Sequence, residues 1–161
     1  MADQETKRVV AAHALILQPD QRFLVTRRAL GDDYKPGEYD LPGGTVKLGE
    51  KTKAALQREV REETGLEVAI YQPIHVFDYM SGPHRHQFQI TFKCGYKGGD
   101  VRLNASDHDD FFWGRPEDLI SLPLIAFLNS LLNEVLLADK QNGVGDVPAG
   151  ADFVTSKPQG R

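Results

Sequence analysis

The chain begins with two short apolar runs separated by a turn. Residues 9–17 and 23–25 are apolar apart from one histidine, whereas Pro19, Asp20 and Gln21 between them favour a turn. Apolar runs bounded by turn residues are typical of buried strands. We therefore expect a two-stranded hairpin near the start of the domain.

The clearest periodic segment covers residues 51–64 and predicts a helix. It contains no Gly or Pro and is rich in Ala, Leu, Gln, Glu and Arg, all good helix formers. Gly65 follows at the position where helices commonly end. Thr52 is the candidate N-cap, because Lys51 beside it is a poor capping residue.

Further strands and helices alternate along the rest of the chain. A polar loop and a short extended piece precede the helix, at residues 31–39 and 45–47. After the helix the pattern predicts strands at residues 66–75, 86–96 and 111–113, and helices at residues 116–122 and 124–138. Strands around one central helix, with another helix at the end, predict an α/β fold in which a mixed sheet is covered on both faces.

Composition indicates a globular protein and limits its partners. With 161 residues, 40% hydrophobic and 26% charged, the chain is expected to form one soluble domain. The net charge of −4 argues against general binding to a nucleic acid polymer. It leaves room for a phosphorylated small molecule, because a bound cation can reverse the local sign of a carboxylate site.

The location predicted from the sequence is cytoplasmic. No run approaches the ~20 apolar residues that span a bilayer, and the polar N-terminus lacks the apolar core of a signal peptide. Cys94 is the only cysteine, so the chain has no internal disulfide. Its position in an apolar run favours a buried strand residue over a nucleophile.

The chemistry of the chain is concentrated in three glutamates on the central helix. Glu59, Glu62 and Glu63 share one face within a single turn. Exposed like charges at that spacing cost roughly 0.2–0.5 kcal/mol per pair, which a hard cation such as Mg²⁺ converts into coordination. A solvated helix face is the alternative. Two features favour the metal, namely a glycine loop with a free carbonyl before the helix and an apolar helix side at Ala55, Leu56 and Val60.

At these residues the chain resembles a known family. Residues 43–66 read GGTVKLGEKTKAALQREVREETGL. From Gly44 to Leu66 this matches, at every defined position, the Nudix hydrolase signature, in which G, five residues, E and seven residues precede R-E-aliphatic-x-E-E-x-G-aliphatic. The resemblance implies a Nudix-type α/β/α sandwich with a mixed central sheet.

The resemblance also implies roles for individual residues. Arg58 and Glu50 match residues that orient the metal ligands, by a charge-assisted contact between them. Either Glu59 or Glu63 is expected to act in catalysis as the proton acceptor. The ligands implied for Mg²⁺ or Mn²⁺ are the carboxylates of Glu59, Glu62 and Glu63 and the backbone carbonyl of Gly43.

The function implied is hydrolysis of a nucleoside diphosphate linked to a further group. A nucleoside triphosphate or related nucleotide is the favoured small-molecule substrate, with ADP-ribose or a nucleotide sugar as the alternative. A third hypothesis is a non-catalytic nucleotide-sensing domain, against which the intact glutamates argue. No membrane partner is expected, and the sequence leaves a monomer or a homodimer open.

Residues outside the signature are weaker candidates for substrate binding. Arg28 and His84 are candidates for phosphate contacts, although both also suit ordinary surface positions. Asp107 and Asp110 precede an aromatic strand and are candidates for an extra ligand or base, with a solvated turn as the alternative. Some aromatic residues are candidates for stacking on a base or for the core, namely Tyr39, Phe77, Tyr79 and Phe112.

Three segments are expected along the chain. Residues 1–6 form an N-terminal extension, and residues 7–138 form the Nudix-type domain. Residues 139–161 lose all periodicity and are dominated by Gly, Pro, Asp and Lys. We expect these last residues to be a tail of low intrinsic order.

Overall fold

The computed structural model describes residues 5–138. Residues 1–4 of the predicted extension and the whole predicted tail, residues 139–161, lie outside the described residues. The strands are β1 (Lys7–Leu17), β2 (Phe23–Arg28), β3 (Tyr39–Asp40), β4 (Gly43–Thr45), β5 (Val68–Gly82), β6 (Arg85–Tyr96) and β7 (His108–Gly114). The helices are α1 (Thr52–Thr64), a 3₁₀ turn (Pro116–Leu119), α2 (Ala126–Leu131) and a π-helical turn (Leu132–Leu136).

The seven strands form one mixed sheet. Its central order is β3-β2-β1-β6-β5, with β4 added to β1 and β7 added to β2. Strands β1 and β6 run parallel, and the other pairs are antiparallel. The predicted β1–β2 hairpin is confirmed by the pair Leu17↔Phe23.

Alternate side chains of β1 pack into two different hydrophobic clusters. Ala12, Ala14 and Ile16 pack in one cluster, whereas Leu15 belongs to another. The first cluster contains Leu56 and Val60 of α1. The second contains the buried residues of α2, which are Phe127, Leu128 and Leu131. The sheet is therefore covered on both faces, which confirms the predicted α/β class.

Helix α1 ends as predicted but begins differently. Gly65 ends it in the left-handed conformation, with φ of 72°, and donates its N–H to the carbonyl of Arg61. The prediction of Thr52 as N-cap is wrong, since Lys51 occupies that position without a side-chain capping bond. Lys51 is extended and its carbonyl accepts the first helical bond, from Ala55 N–H. Thr52 is already inside the helix.

The strand after α1 is longer than the sequence suggested. β5 starts at Val68 and continues to Gly82, so the prediction that this strand ends at residue 75 is wrong. Only a tight turn separates β5 from β6, because pairing with β6 satisfies the backbone along this length. The ladder shifts register on both sides of Pro73, which has no N–H to donate.

The C-terminal helix is shorter and less regular than predicted. Residues 124–125 are not helical, because Tyr39 donates its N–H to Pro123 and accepts one from Ile125. The helix widens into the π-helical turn, which Leu137 N–H closes on the Leu132 carbonyl. Along residues 5–138 no helix is both long and apolar enough to cross a bilayer.

Candidate active site

Arg58 is the centre of an ionic network on the exposed face of α1. Its Nε and Nη2 donate to the two carboxylate oxygens of Glu50, at 2.9 and 3.0 Å. Its Nη1 donates to Glu59 Oε1 at 2.7 Å and to Glu62 Oε2 at 3.3 Å. The contact expected between Arg58 and Glu50 is therefore present. It is bidentate, a geometry that fixes the guanidinium plane.

The lowered pKa of Glu50 agrees with a structural role for this carboxylate. Hydrogen bonds from Arg58 and from the Lys47 N–H lower the pKa of this carboxyl to about 2. The hydrogen bonds that Arg58 donates to Glu50 and then to Glu59 raise the pKa of Arg58 above its usual value. Both groups are therefore charged at neutral pH, and together they tie the loop before α1 to the helix.

Glu63 faces the other way, towards the sheet. Its Oε2 accepts the N–H of Gly43 at 2.9 Å. Burial is the main cause that raises the pKa of this carboxyl to about 9, and the Gly43 N–H opposes it. The charges of Asp40, Glu59 and Asp107 raise the pKa further. Acidic groups are thus concentrated at the inner end of the glutamate face, and Glu63 favours its neutral form there.

Two glycines bring the β4 backbone against this face. A Cβ on Gly44 would lie 2.5 Å from the carboxyl carbon of Glu59. A Cβ on Gly43, whose φ is 156°, would lie 2.1 Å from the Ala12 carbonyl oxygen. The β1 backbone excludes a side chain at position 43, whereas a side chain at position 44 would displace the Glu59 carboxylate. The glycine loop therefore allows the β4 backbone to lie close to Glu59 and to β1.

The glutamate carboxylates are engaged by other groups of the protein. Within residues 5–138 no three His, Cys, Asp or Glu side chains are arranged to hold a metal ion. Arg58 engages Glu59 and Glu62, and the Gly43 N–H engages Glu63. The donor set nevertheless suits a hard cation, because carboxylate oxygens surround a partly buried acid that carries its charge poorly.

Arg28 and Tyr39 are both held by neighbouring groups. Arg28 donates to Asp32 at 2.6 Å, to Asp40 at 3.1 Å and to the Tyr34 carbonyl at 2.6 Å. Tyr39 packs edge-on against Phe112, with ring centroids 5.8 Å apart. Both residues therefore have a structural role, and their substrate contacts stay predictions.

The remaining candidates are Asp107, which acts on the glutamate face, and Asp110 and His84, whose contacts are elsewhere. The charge of Asp107 acts on Glu63, which places this aspartate beside the glutamate face. Asp110 accepts the Phe111 N–H and acts electrostatically on Arg27. His84 is exposed in the β5–β6 turn. Of the three, Asp107 has the strongest support as an extra ligand or base.

Sequence reasoning missed a buried acid and a polar pair. Asp40 is only 3% exposed, accepts Arg28 Nη1 and adds to the charge near Glu63. His13 and Gln89 are both buried and bond to each other across β1 and β6. A histidine in the middle of an apolar run was the signal for this pair.

Comparison with known proteins identifies the pattern as a whole. The model of the NUDIX domain matches residues 7–135. That range contains both the glutamate face and all seven strands.

Individual relatives agree with this match. The chain is 30% identical over 119 residues to the nucleoside triphosphatase NudI of Escherichia coli O17:K52:H18 (strain UMN026 / ExPEC), covering 68% of this chain and 84% of that protein. The crystal structure of the MutT protein from Methanosarcina mazei Go1 superposes with a TM-score of 0.74 and 28% identity, covering 87% of this chain and 99% of that one. A C. elegans Ap4A hydrolase shares the fold, with a TM-score of 0.65, 23% identity and coverage of 83% and 98%.

Proposed function

Because this chain belongs to the NUDIX family, as an enzyme of the Nudix hydrolase type, we propose that it cleaves the diphosphate linkage of a nucleoside triphosphate or related nucleotide with the help of a divalent cation. The observation that carries the proposal is the glutamate face of α1. Its charges are ordered by Arg58 and brought against the β4 backbone by Gly44.

The cation site assigned by this proposal has four members. Glu59, Glu62 and Glu63 supply carboxylate oxygens, and Gly43 supplies its backbone carbonyl. Mg²⁺ or Mn²⁺ suits such a hard oxygen set. When bound, the cation neutralises the diphosphate and makes a water more acidic. The raised pKa of Glu63 supports this assignment, because a cation relieves the cost of a partly buried carboxylate among other acids.

The residues of the chain divide the remaining tasks. Arg58 and Glu50 hold the carboxylates in position and do not themselves contact the substrate. A carboxylate of Glu59, Glu63 or Asp107 accepts the proton of the attacking water as it approaches phosphorus. The Gly43 N–H fixes the Glu63 side chain, so that its second oxygen remains available for the cation or the proton.

A nucleoside triphosphate is the substrate class that the comparisons favour. The curated relative with 30% identity is named a nucleoside triphosphatase. A non-catalytic sensing role is disfavoured, because every charged residue of the signature is present and engaged.

Product analysis over a nucleotide panel tests the proposal. The protein would be incubated with Mg²⁺ and each of the common ribo- and deoxyribonucleoside triphosphates, together with ADP-ribose and a nucleotide sugar. We expect a nucleoside monophosphate and pyrophosphate from at least one triphosphate. Hydrolysis of ADP-ribose alone would move the substrate to the nucleotide-sugar class. Binding without any hydrolysis would establish the sensing role instead.

A further inference from the structure

The segment that follows β6 is attached to the C-terminal end of α1. Arg102 donates its backbone N–H to the carbonyl of Thr64 at 2.8 Å, and Asn104 donates its own to the carbonyl of Glu63 at 3.0 Å. The last carbonyls of a helix have no partner within the helix. These two bonds therefore satisfy the end of α1, and the second of them attaches the segment directly to Glu63.

Asn104 also begins the tight turn that leads to Asp107. Its backbone carbonyl accepts the N–H groups of Asp107 and His108, both at 3.0 Å. Its side-chain Oδ1 accepts the backbone N–H of Ser106 at 3.3 Å and the Ser106 hydroxyl at 2.7 Å. Asparagine is favoured at the first position of a turn, because its side chain can bond the backbone two residues further on. Asn104 thus contacts α1 through its N–H and shapes the turn through its carbonyl and its side chain.

Asp107 and Glu63 are linked by this turn. The bonds run from the Glu63 carbonyl through the backbone of Asn104 to the Asp107 N–H. The carbonyl of Asp107 accepts the Ala29 N–H at 2.9 Å, just after β2. Asp107 is half-buried, and its charge raises the pKa of Glu63. Since Gly43 also fixes the Glu63 side chain, both carboxylates are held in place by backbone groups.

The Asn104 side chain contributes to the turn and not to the core. Asn104 is exposed, and within residues 5–138 the hydrogen bonds of its side chain all go to Ser106. Its removal therefore leaves the hydrophobic clusters intact and loosens only the turn. A change at this residue can consequently be examined in a folded protein.

Resting on the proposed function, we propose that Asn104 is a positioning residue for hydrolysis, because its turn holds Asp107 beside Glu63 for the chemical step. Asn104 does not contact the substrate and acts only through Asp107. A displacement of a catalytic group by ~1 Å can cost on the order of 100-fold in rate. A loosened turn should therefore lower kcat while the nucleotide still binds with nearly the same KM.

A double-mutant cycle measured with Mg²⁺ and the best nucleotide tests this proposal. Asn104→Ala should lower kcat by ~10-fold, as expected for loss of an orienting contact, with KM nearly unchanged. In an Asp107→Asn background the same substitution should have no further effect, because the two residues act as one unit. Asn104→Asp, whose carboxylate can accept the same bonds from Ser106, should retain most of the wild-type kcat. Asn133→Ala is the matched control, since Asn133 is an exposed asparagine that donates to Asn129 in the π-helical turn.

Amide hydrogen exchange gives a second measurement that does not require turnover. The N–H groups of Asp107 and His108 should exchange faster in Asn104→Ala than in wild type, and at the wild-type rate in Asn133→Ala. Ser106→Ala removes the 2.7 Å bond alone. It should act in the same direction, and it decides the question if Asn104→Ala does not fold.

The possible outcomes separate this proposal from the proposed function. Equal losses of kcat from Asn104→Ala in the wild-type and Asp107→Asn backgrounds would overturn the proposal, and so would unchanged exchange at Asp107. Hydrolysis by the wild type could still be observed in either case. Absence of hydrolysis by the wild type would contradict the proposed function, whereas faster exchange in Asn104→Ala would still support the role of Asn104 in holding Asp107.

Discussion

The glutamate face and a small recess on the opposite side of the sheet, lined by Tyr34, Tyr79, Gln89, Ile125, Ala126 and Phe127, are built in different ways. The groups of the glutamate face come mainly from one continuous stretch, residues 43–63, and its geometry follows from helical spacing. The recess is assembled from a loop, β5, β6 and α2, whose residues are far apart in sequence. The first consists of ionisable groups, whereas the side chains of the second are neutral at neutral pH.

This difference separates chemistry from selectivity. A cation site needs several oxygens within one helical turn, so local sequence can specify it. A selective pocket needs a shape and an edge, which several segments supply together. Changes to the glutamate face should therefore affect kcat and its dependence on the cation.

The largest expected effect of a single substitution is that of Glu59→Gln. It keeps the shape of the side chain but removes a charged ligand, so kcat should fall by at least ~100-fold, comparable to the loss of a major electrostatic contribution. Glu67→Gln is the control, since Glu67 pairs with Arg61 at an exposed site. Wild-type kcat in Glu59→Gln would remove Glu59 from the proposed site.

Arg58→Lys should have a smaller but clear effect. Lysine keeps the charge but cannot span both oxygens of Glu50 while also contacting Glu59. Loss of such an orienting contact typically costs ~10–100-fold in metal affinity or activity. Steady-state kinetics over a range of Mg²⁺ concentrations would measure it. Arg61→Lys, at an exposed pair, should behave as wild type, and an equal loss in both variants would argue against an orienting role.

Two of the three buried histidines within residues 5–138 extend the comparison to stability. His13 has partners, whereas both ring nitrogens of His108 are buried without one. Burial is the main cause that lowers the pKa of His108, although Asp40 and Asp107 oppose it. Arg28 acts in the same direction as burial, and Asp32 against it. The folded state therefore prefers the neutral ring.

This preference gives a prediction with a definite sign. Below the usual histidine pKa of 6.5 the unfolded chain binds the proton more readily than the folded one. The contribution of His108 to the free energy of unfolding is thus fully favourable above that pH and decreases as the pH falls below it. Urea unfolding between pH 5 and 7.5 should show a smaller loss of stability in His108→Leu than in wild type. Parallel curves would refute the assignment.

The smallest effect is expected from removing residues 139–161. The NUDIX match ends at residue 135, before this segment begins. Four glycines and two prolines make ordering it costly, at roughly 1–2 kcal/mol per residue for the backbone. Truncation after Ala138 should leave kcat and the melting temperature nearly unchanged. A large rise in KM would show that the segment contributes to the substrate site, and a change of oligomeric state would assign it to assembly.

Features that depend on residues close in sequence could be predicted, whereas features that depend on long-range contacts could not. Helix α1, its end at Gly65 and the Arg58–Glu50 contact depend on neighbours in sequence, and they could be predicted. The length of β5 depends on pairing with β6, which local pattern does not show. The start of α2 was displaced by bonds between Tyr39 and residues 123–125. The role of Asp40 and the pairing of His13 with Gln89 also required the folded chain.

The dependence of hydrolysis on a divalent cation tests the central claim most directly. The protein would be freed of metal by a chelator and assayed with the nucleotide it hydrolyses best, before and after addition of Mg²⁺ or Mn²⁺. The glutamate face of α1 predicts that hydrolysis is lost with the chelator and restored by either cation. Full turnover in excess chelator would contradict the account.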